Sequence, residues 1–193
     1  KYPQTAPSYC NVSVDYDVEP ITLVNFSNIN NPTSEVVNTT PAYEDFTSIT
    51  GNVVRGNTYQ LTVKGNTVGQ FEHDIRAFFD WNKDGVFNMQ TEYYHAVLTP
   101  STGVDAVEAT ISITIPATAS IGDTRMRIIK DQWNVYEEGD FDACLNAYYG
   151  QVEDYTINIQ ENLGTIDFGK NDFIVYPNPT NGIVTIQTKE AIK

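Results

Sequence analysis

The run Ala109-Thr110-Ile111-Ser112-Ile113-Thr114-Ile115 alternates apolar and hydroxyl side chains without a break, and Pro116 stops it. Successive side chains of a strand point to opposite faces, so this run demands a dry face, a wet face and a second layer to cover its isoleucines. Tyr155-Thr156-Ile157-Asn158-Ile159 repeats the pattern, with Tyr155, Ile157 and Ile159 on one face. Short β-rich runs bounded by turn residues recur at 21–26, 59–64, 74–81, 93–98, 107–115, 123–130 and 152–159. Runs of this spacing predict an all-β fold, an antiparallel two-sheet sandwich of jelly-roll type. Twelve tyrosines and nine phenylalanines support strands over a helical bundle, and 193 residues suffice for one full core with a small appendage.

A formal charge of −14 repels phosphates and anionic headgroups, which argues against nucleic acid and membrane surfaces as partners. No run approaches the roughly 20 apolar residues of a membrane span. Acidity favours cations instead, and Asp80-Trp81-Asn82-Lys83-Asp84-Gly85 places three oxygen-bearing side chains at alternate positions before a glycine. Such a run bends tightly enough to aim several oxygens at one calcium ion. It is no EF-hand, because loop position twelve is Thr91 and the acid comes one residue later, at Glu92. The expected calcium ligands are Asp80, Asn82 and Asp84, the backbone at Val86, and Glu92, with Asp45, Glu153 and Asp154 as further candidates. Glu153 and Asp154 point to opposite faces of a strand, so at most one would reach the ion. The alternative is an Asx-rich turn whose carboxylates accept only backbone amides.

Between Gln132 and Gly150 the strand pattern lapses, and Trp133, Tyr136, Phe141, Tyr148 and Tyr149 sit among Asn, Asp, Glu and Gly. Planar rings stack on the apolar faces of sugars while nearby amides and carboxylates bond hydroxyls, so Trp133, Tyr136, Tyr148 and Tyr149 are candidate polysaccharide contacts. The same rings would also serve a protein-binding loop, or simply pack around Cys144. Arg125 and Arg127 share a strand face and would suit a sulfated or acidic glycan, with salt bridges to neighbouring acids as the alternative. Catalysis finds little support. The two histidines lie in no zinc motif, and neither a G-x-S-x-G elbow nor a glycine-rich phosphate loop occurs.

Cys10 and Cys144 either form a bridge that staples the N-terminal segment to the end of the main domain or remain two buried thiols, and the compartment decides. The chain opens at Lys1-Tyr2-Pro3 without an initiating Met or signal peptide, as a piece of a longer precursor would. The expected organisation is a β-sandwich over 1–160, a polar connector over 161–172, and a hairpin-like start of a further module over 173–193.

The segment Val175-Tyr176-Pro177-Asn178-Pro179-Thr180-Asn181-Gly182 resembles the opening of the type A C-terminal sorting domain of the type IX secretion route. That resemblance implies an exported protein, secreted or held at the cell surface, and with it an oxidised Cys10–Cys144 pair. The main body resembles the GEVED domain through Gly150-Gln151-Val152-Glu153-Asp154, where Gln151 stands for the first acid. Further pieces are Tyr9-Cys10, Ile29-Asn30-Asn31, Tyr43-Glu44-Asp45-Phe46-Thr47, residues 75–87 and Thr124-Arg125-Met126-Arg127. The resemblance implies an accessory sandwich of large secreted proteins, found beside hydrolases and adhesin-like repeats. The resulting expectation is a non-catalytic, calcium-stabilised carbohydrate-binding module that targets a covalently linked catalytic domain to its polysaccharide. An adhesive or spacer domain is the runner-up, and a carboxylate-based enzyme the third reading.

Overall fold

The computed structural model describes residues 9–101, 107–132, 142–144, 146–162, 173–176, 182–183 and 185–188. The chain divides into two compact units, Lys1–Asn162 and Leu163–Lys193. The first contains β1 (Ile21–Phe26), β2 (Ile29–Pro32), β3 (Tyr43–Val54), β4 (Thr58–Gly65), β5 (His73–Phe79), β6 (Tyr93–Leu98), β7 (Glu108–Thr114), β8 (Gly122–Gln132) and β9 (Gly150–Gln160). In the second, β10 (Phe173–Tyr176) pairs antiparallel with β11 (Thr185–Thr188). No helix among the described residues is long and apolar enough to cross a membrane.

The first unit is an all-β sandwich of a four-stranded sheet, β2-β1-β4-β7, and a five-stranded sheet, β3-β9-β8-β5-β6. Every pairing is antiparallel except β3 with β9, which run parallel with a register break between Phe46 and Thr50. The alternation of residues 109–115 emerges as expected, with Ala109, Ile113 and Ile115 buried while Thr110, Ser112 and Thr114 are exposed. Between the sheets lie Val24, Phe26, Leu61, Val63, Ile75, Phe79, Met126, Ile128, Tyr155, Ile157 and Ile159. Each such side chain, once removed from water, contributes on the order of 1.5–3 kcal/mol.

All seven residues of β5 are buried, so this strand is covered on both sides. Ile75, Ala77 and Phe79 face the core, whereas Phe78 joins Val12, Phe87, Ile129, Ala143, Ala147 and Val152 in a second apolar cluster on the outer face of the five-stranded sheet. A strap formed by residues 9–19 supplies Val12 and, at the margin, Tyr9 and Val14 to this cluster. The strap is tied to the 142–149 segment by a parallel bridge from Val14 to Ala147 and by the Cys10–Cys144 disulfide.

Candidate functional site

Strand β9 sends its two motif acids to opposite sides. On the outer face Asp154 is buried, and its Oδ1 accepts Arg127 Nε at 2.8 Å. Its Oδ2 accepts Arg125 Nη1 at 2.6 Å, Arg127 Nη2 at 3.0 Å and the Tyr43 hydroxyl at 3.0 Å. Arg125 and Arg127 therefore share a face as their spacing predicts, and Asp154, directly across the strand pair from Arg127, accounts for both. Around them opens a pocket of about 370 Å³ lined by Tyr9, Cys10, Asn11, Val12, Tyr43, Asp45, Arg125, Arg127 and Asp154. Arg127 is sealed in. Arg125 keeps 23% of its side chain exposed and lies 4.7 Å from the centroid of the Tyr9 ring. Among the described residues Asp154 is the only hydrogen-bond partner of its guanidinium. Burial, then the Asp154 charge, pushes the Tyr43 phenol up to about 12 and keeps it a neutral donor. At the rim, hydrogen bonds from Thr47 hold the exposed Asp45 carboxyl below its usual range, so it stays ionised.

At the other end of the strap, Tyr16 lies nearly parallel to two tyrosines of the 142–149 segment. Its ring centroid is 5.9 Å from Tyr148 and 5.0 Å from Tyr149, with interplanar angles of 17° and 13°. Tyr16 is 63% exposed. Asp131 anchors this group from beneath: its Oδ1 accepts the Tyr148 and Tyr149 amides at 2.9 and 3.0 Å, while Oδ2 accepts Arg76 Nη2 at 3.0 Å. Tyr148 and Tyr149 are thus brought together, with Tyr16 as a partner that sequence reading did not pick out. Trp133 and Tyr136 lie outside the described residues.

The Asp80 loop is built of Asx turns. Asp80 accepts the Lys83 amide on Oδ1 at 2.7 Å, and on Oδ2 the Gly85 amide at 3.0 Å and the Tyr9 hydroxyl at 2.6 Å. Asn82 Oδ1 accepts the Asp84 amide at 2.9 Å, and Asp84 Oδ1 the Val86 amide at 2.8 Å. Glu92 folds back onto the same loop, accepting Trp81 N at 2.8 Å on one oxygen and Asn88 N at 2.9 Å on the other. Gly85 has φ of 85°, a left-handed conformation that a side chain would resist. Four of the expected ligands, Asp80, Asn82, Asp84 and Glu92, therefore share one loop, with Val86 at its edge. Asp45 and Asp154 belong instead to the arginine pocket, and two guanidiniums already neutralise Asp154. Among the described residues no three His, Cys, Asp or Glu side chains are gathered as a metal ion needs.

Glu153 faces the core, where its Oε2 accepts the Tyr155 hydroxyl at 2.6 Å and its Oε1 has no hydrogen-bond partner among the described residues. Burial pushes its carboxyl up to about 8, and its core-facing position sets it apart from Asp154 on the outer face. Gln151, also inward, accepts the Ile21 amide on Oε1, and Thr40 Oγ1, Pro41 O and Glu44 Oε2 share the two N–H donors of its Nε2, within 3.0 Å in each case. A carboxylate could not make those donations, which gives a physical role to the glutamine in this motif.

Comparison with known proteins adds one decisive match. Residues 74–158 fit the model of the GEVED domain family. The matched stretch runs from β5 through β9, and so includes the Asp80 loop, both pocket arginines and the Gly150–Asp154 motif, but not the strap. No curated protein matches the chain. Among solved structures, the ASH/PapD-like domain of human CEP192 (PapD-like domain 7) is similar, with 12% identity over 83% of this chain and 99% of that chain and a TM-score of 0.29. Residues 74–158 are thus similar to the GEVED domain, within a first unit that is a β-sandwich.

Proposed function

We propose that the unit Lys1–Asn162 is a non-catalytic carbohydrate-binding module of an exported multidomain protein, which holds an attached hydrolase against its polysaccharide. The observation that carries this is the cluster of Tyr16, Tyr148 and Tyr149: near-parallel rings outside the core, one of them mostly exposed. Rings so placed offer flat apolar area at little conformational cost, and Asp131 fixes the two that come from the loop. Tethering would raise the local concentration of the enzyme on its substrate without altering the chemical step. The disulfide suits an oxidising compartment, and the sequence at 175–182 supports type IX export as the route. Calcium enters the proposal at the Asp80 loop alone, where Asp80, Asn82, Asp84, the Val86 carbonyl and Glu92 would hold it and cross-link the loop.

Affinity electrophoresis in gels containing neutral and acidic polysaccharides tests this reading. Wild-type protein is expected to be retarded by at least one glycan and Tyr16→Ala to migrate faster in the same gel. Free migration of the wild-type protein across a broad panel would leave the module an adhesive or spacer domain.

A further inference from the structure

We infer that the pocket at Arg125 takes an uncharged sugar unit with neighbouring hydroxyls, not the sulfate or carboxylate of an acidic glycan; this rests on the carbohydrate-binding reading and narrows its ligand. A guanidinium has five N–H donors, and Asp154 is the only acceptor that the guanidinium of Arg125 meets among the described residues, so donors remain for the opening. Asp45 stands at the rim as an ionised acceptor, with lone pairs beyond those Thr47 engages. A donor and an acceptor of fixed charge on one opening match a diol, one hydroxyl accepting from Arg125 and its neighbour donating to Asp45. The Tyr9 ring and Val12 give the same opening apolar wall.

Charge argues against an anion. Arg125 and Arg127 are matched by Asp45 and Asp154, which leaves the pocket neutral in a chain of formal charge −14. A sulfate on the remaining Arg125 donors would meet a guanidinium whose charge the buried Asp154 carboxylate already matches, and would stand beside the ionised Asp45. The volume, about 370 Å³, lies near the lower end of ordinary ligand pockets, which suits one part of a polymer. Seven residue-to-residue steps along the strap lead from Tyr9 to Tyr16, a span of at most roughly 25 Å, so a chain stacked at Tyr16 can reach the pocket with another of its units.

Titration calorimetry of the full chain with neutral gluco-, xylo- and galacto-oligosaccharides, set against sulfated galactan and polyuronate oligosaccharides, tests this. The variants are Asp45→Asn, which is exposed and spares the core, Arg125→Lys and Tyr16→Ala, each checked by its melting curve. A neutral ligand is expected to bind, and Asp45→Asn to weaken it about tenfold. Tyr16→Ala would weaken any stacked glycan irrespective of charge. Preference for sulfated or uronate ligands, strengthened by Asp45→Asn, would overturn the inference while leaving the module a carbohydrate binder. Neutral binding unmoved by both Asp45→Asn and Arg125→Lys would also overturn it, because the sugar would then sit elsewhere. Absence of binding by every glycan would overturn the parent reading and the inference together.

Discussion

Removing the Asp154 carboxylate would leave Arg127, with 2% of its side chain exposed, as a buried cation deprived of its counter-charge. Breaking a buried pair from one side costs about 3–5 kcal/mol, because the remaining charge keeps its desolvation penalty. Asp154→Ala is therefore expected to lower the unfolding free energy measured by urea denaturation by that amount, and a loss below about 1 kcal/mol would show that Asp154 does not hold the arginines in solution. Its neighbour Glu153 behaves in the opposite way. Its folded pKa is raised from 4.5 to about 8 by burial, so at low pH it is protonated in both states and its contribution is fully present. As the pH climbs from about 4.5 to about 8, only the unfolded chain readily gives up that proton, and stability falls. Glu153→Gln has no proton to lose. Chemical denaturation of both proteins across this window should show the variant gaining on the wild type with rising pH and a constant difference above it. Lys130, pushed down to about 7 by burial, titrates in both proteins and largely cancels in the comparison. A pH-independent difference would place Glu153 in contact with water.

Strand β9 opens on Gly150 because nothing larger fits: a Cβ there would stand 1.8 Å from the carbonyl oxygen of Lys130 on β8. Backbone cannot yield as a side-chain tip can, so Gly150→Ala is expected to cost upwards of about 3 kcal/mol or to prevent folding, as a melting curve would show. Much of this element level was legible from sequence. The strand over 21–26 and that over 93–98 emerge with the bounds read from their pattern, and Tyr155, Ile157 and Ile159 do face the core. Strand β3 was not legible, since it is a half-exposed edge strand without alternation, paired in parallel to a segment about 100 residues away. In the site, the spacing of two aligned Arg125 with Arg127, but their shared acid comes from another strand. Tyr9, Tyr16 and Tyr43 lack any periodic signal. The cysteines held one clue: with Cys10 tied to Cys144, an extended run in the same direction brings Tyr16 level with the residues just before Gly150, which are Tyr148 and Tyr149. The Asp80 loop was legible as a turn, and a melt with and without chelator decides whether it holds calcium. If calcium links Asp80, Asp84 and Glu92, chelation lowers stability by RT ln(1 + [L]/Kd), whereas an unchanged melt reduces the loop to its Asx turns.

At the scale of the whole first unit, one covalent bond joins the two segments that carry the proposed binding surface. The strap passes from Tyr9 at the arginine pocket to Tyr16 at the tyrosine cluster, and Cys10 fastens it to the segment that presents Tyr148 and Tyr149. Its other attachments are non-covalent: the Val14–Ala147 bridge, backbone bonds such as Asp15 N to Ala147 O at 2.9 Å, Val12 in the outer cluster, the Tyr9 hydroxyl on Asp80, and Glu19 buried against His73. Closing a loop across 134 residues restricts the unfolded chain by roughly 4–5 kcal/mol on the chain-entropy account. For a protein of this length each kcal/mol moves the midpoint by about 2–4 °C, so reduction is expected to lower it by roughly 8–20 °C. Glycan retention should fall as well, even at temperatures where the reduced sandwich remains folded, because Tyr9 and Tyr16 would no longer be pinned against their partners. Parallel melts and affinity gels with and without reductant measure both effects on one sample. A lowered midpoint with undiminished retention would confine the bond to stability and take the strap out of the binding surface; an unchanged midpoint would mean that the strap is held by its packing alone.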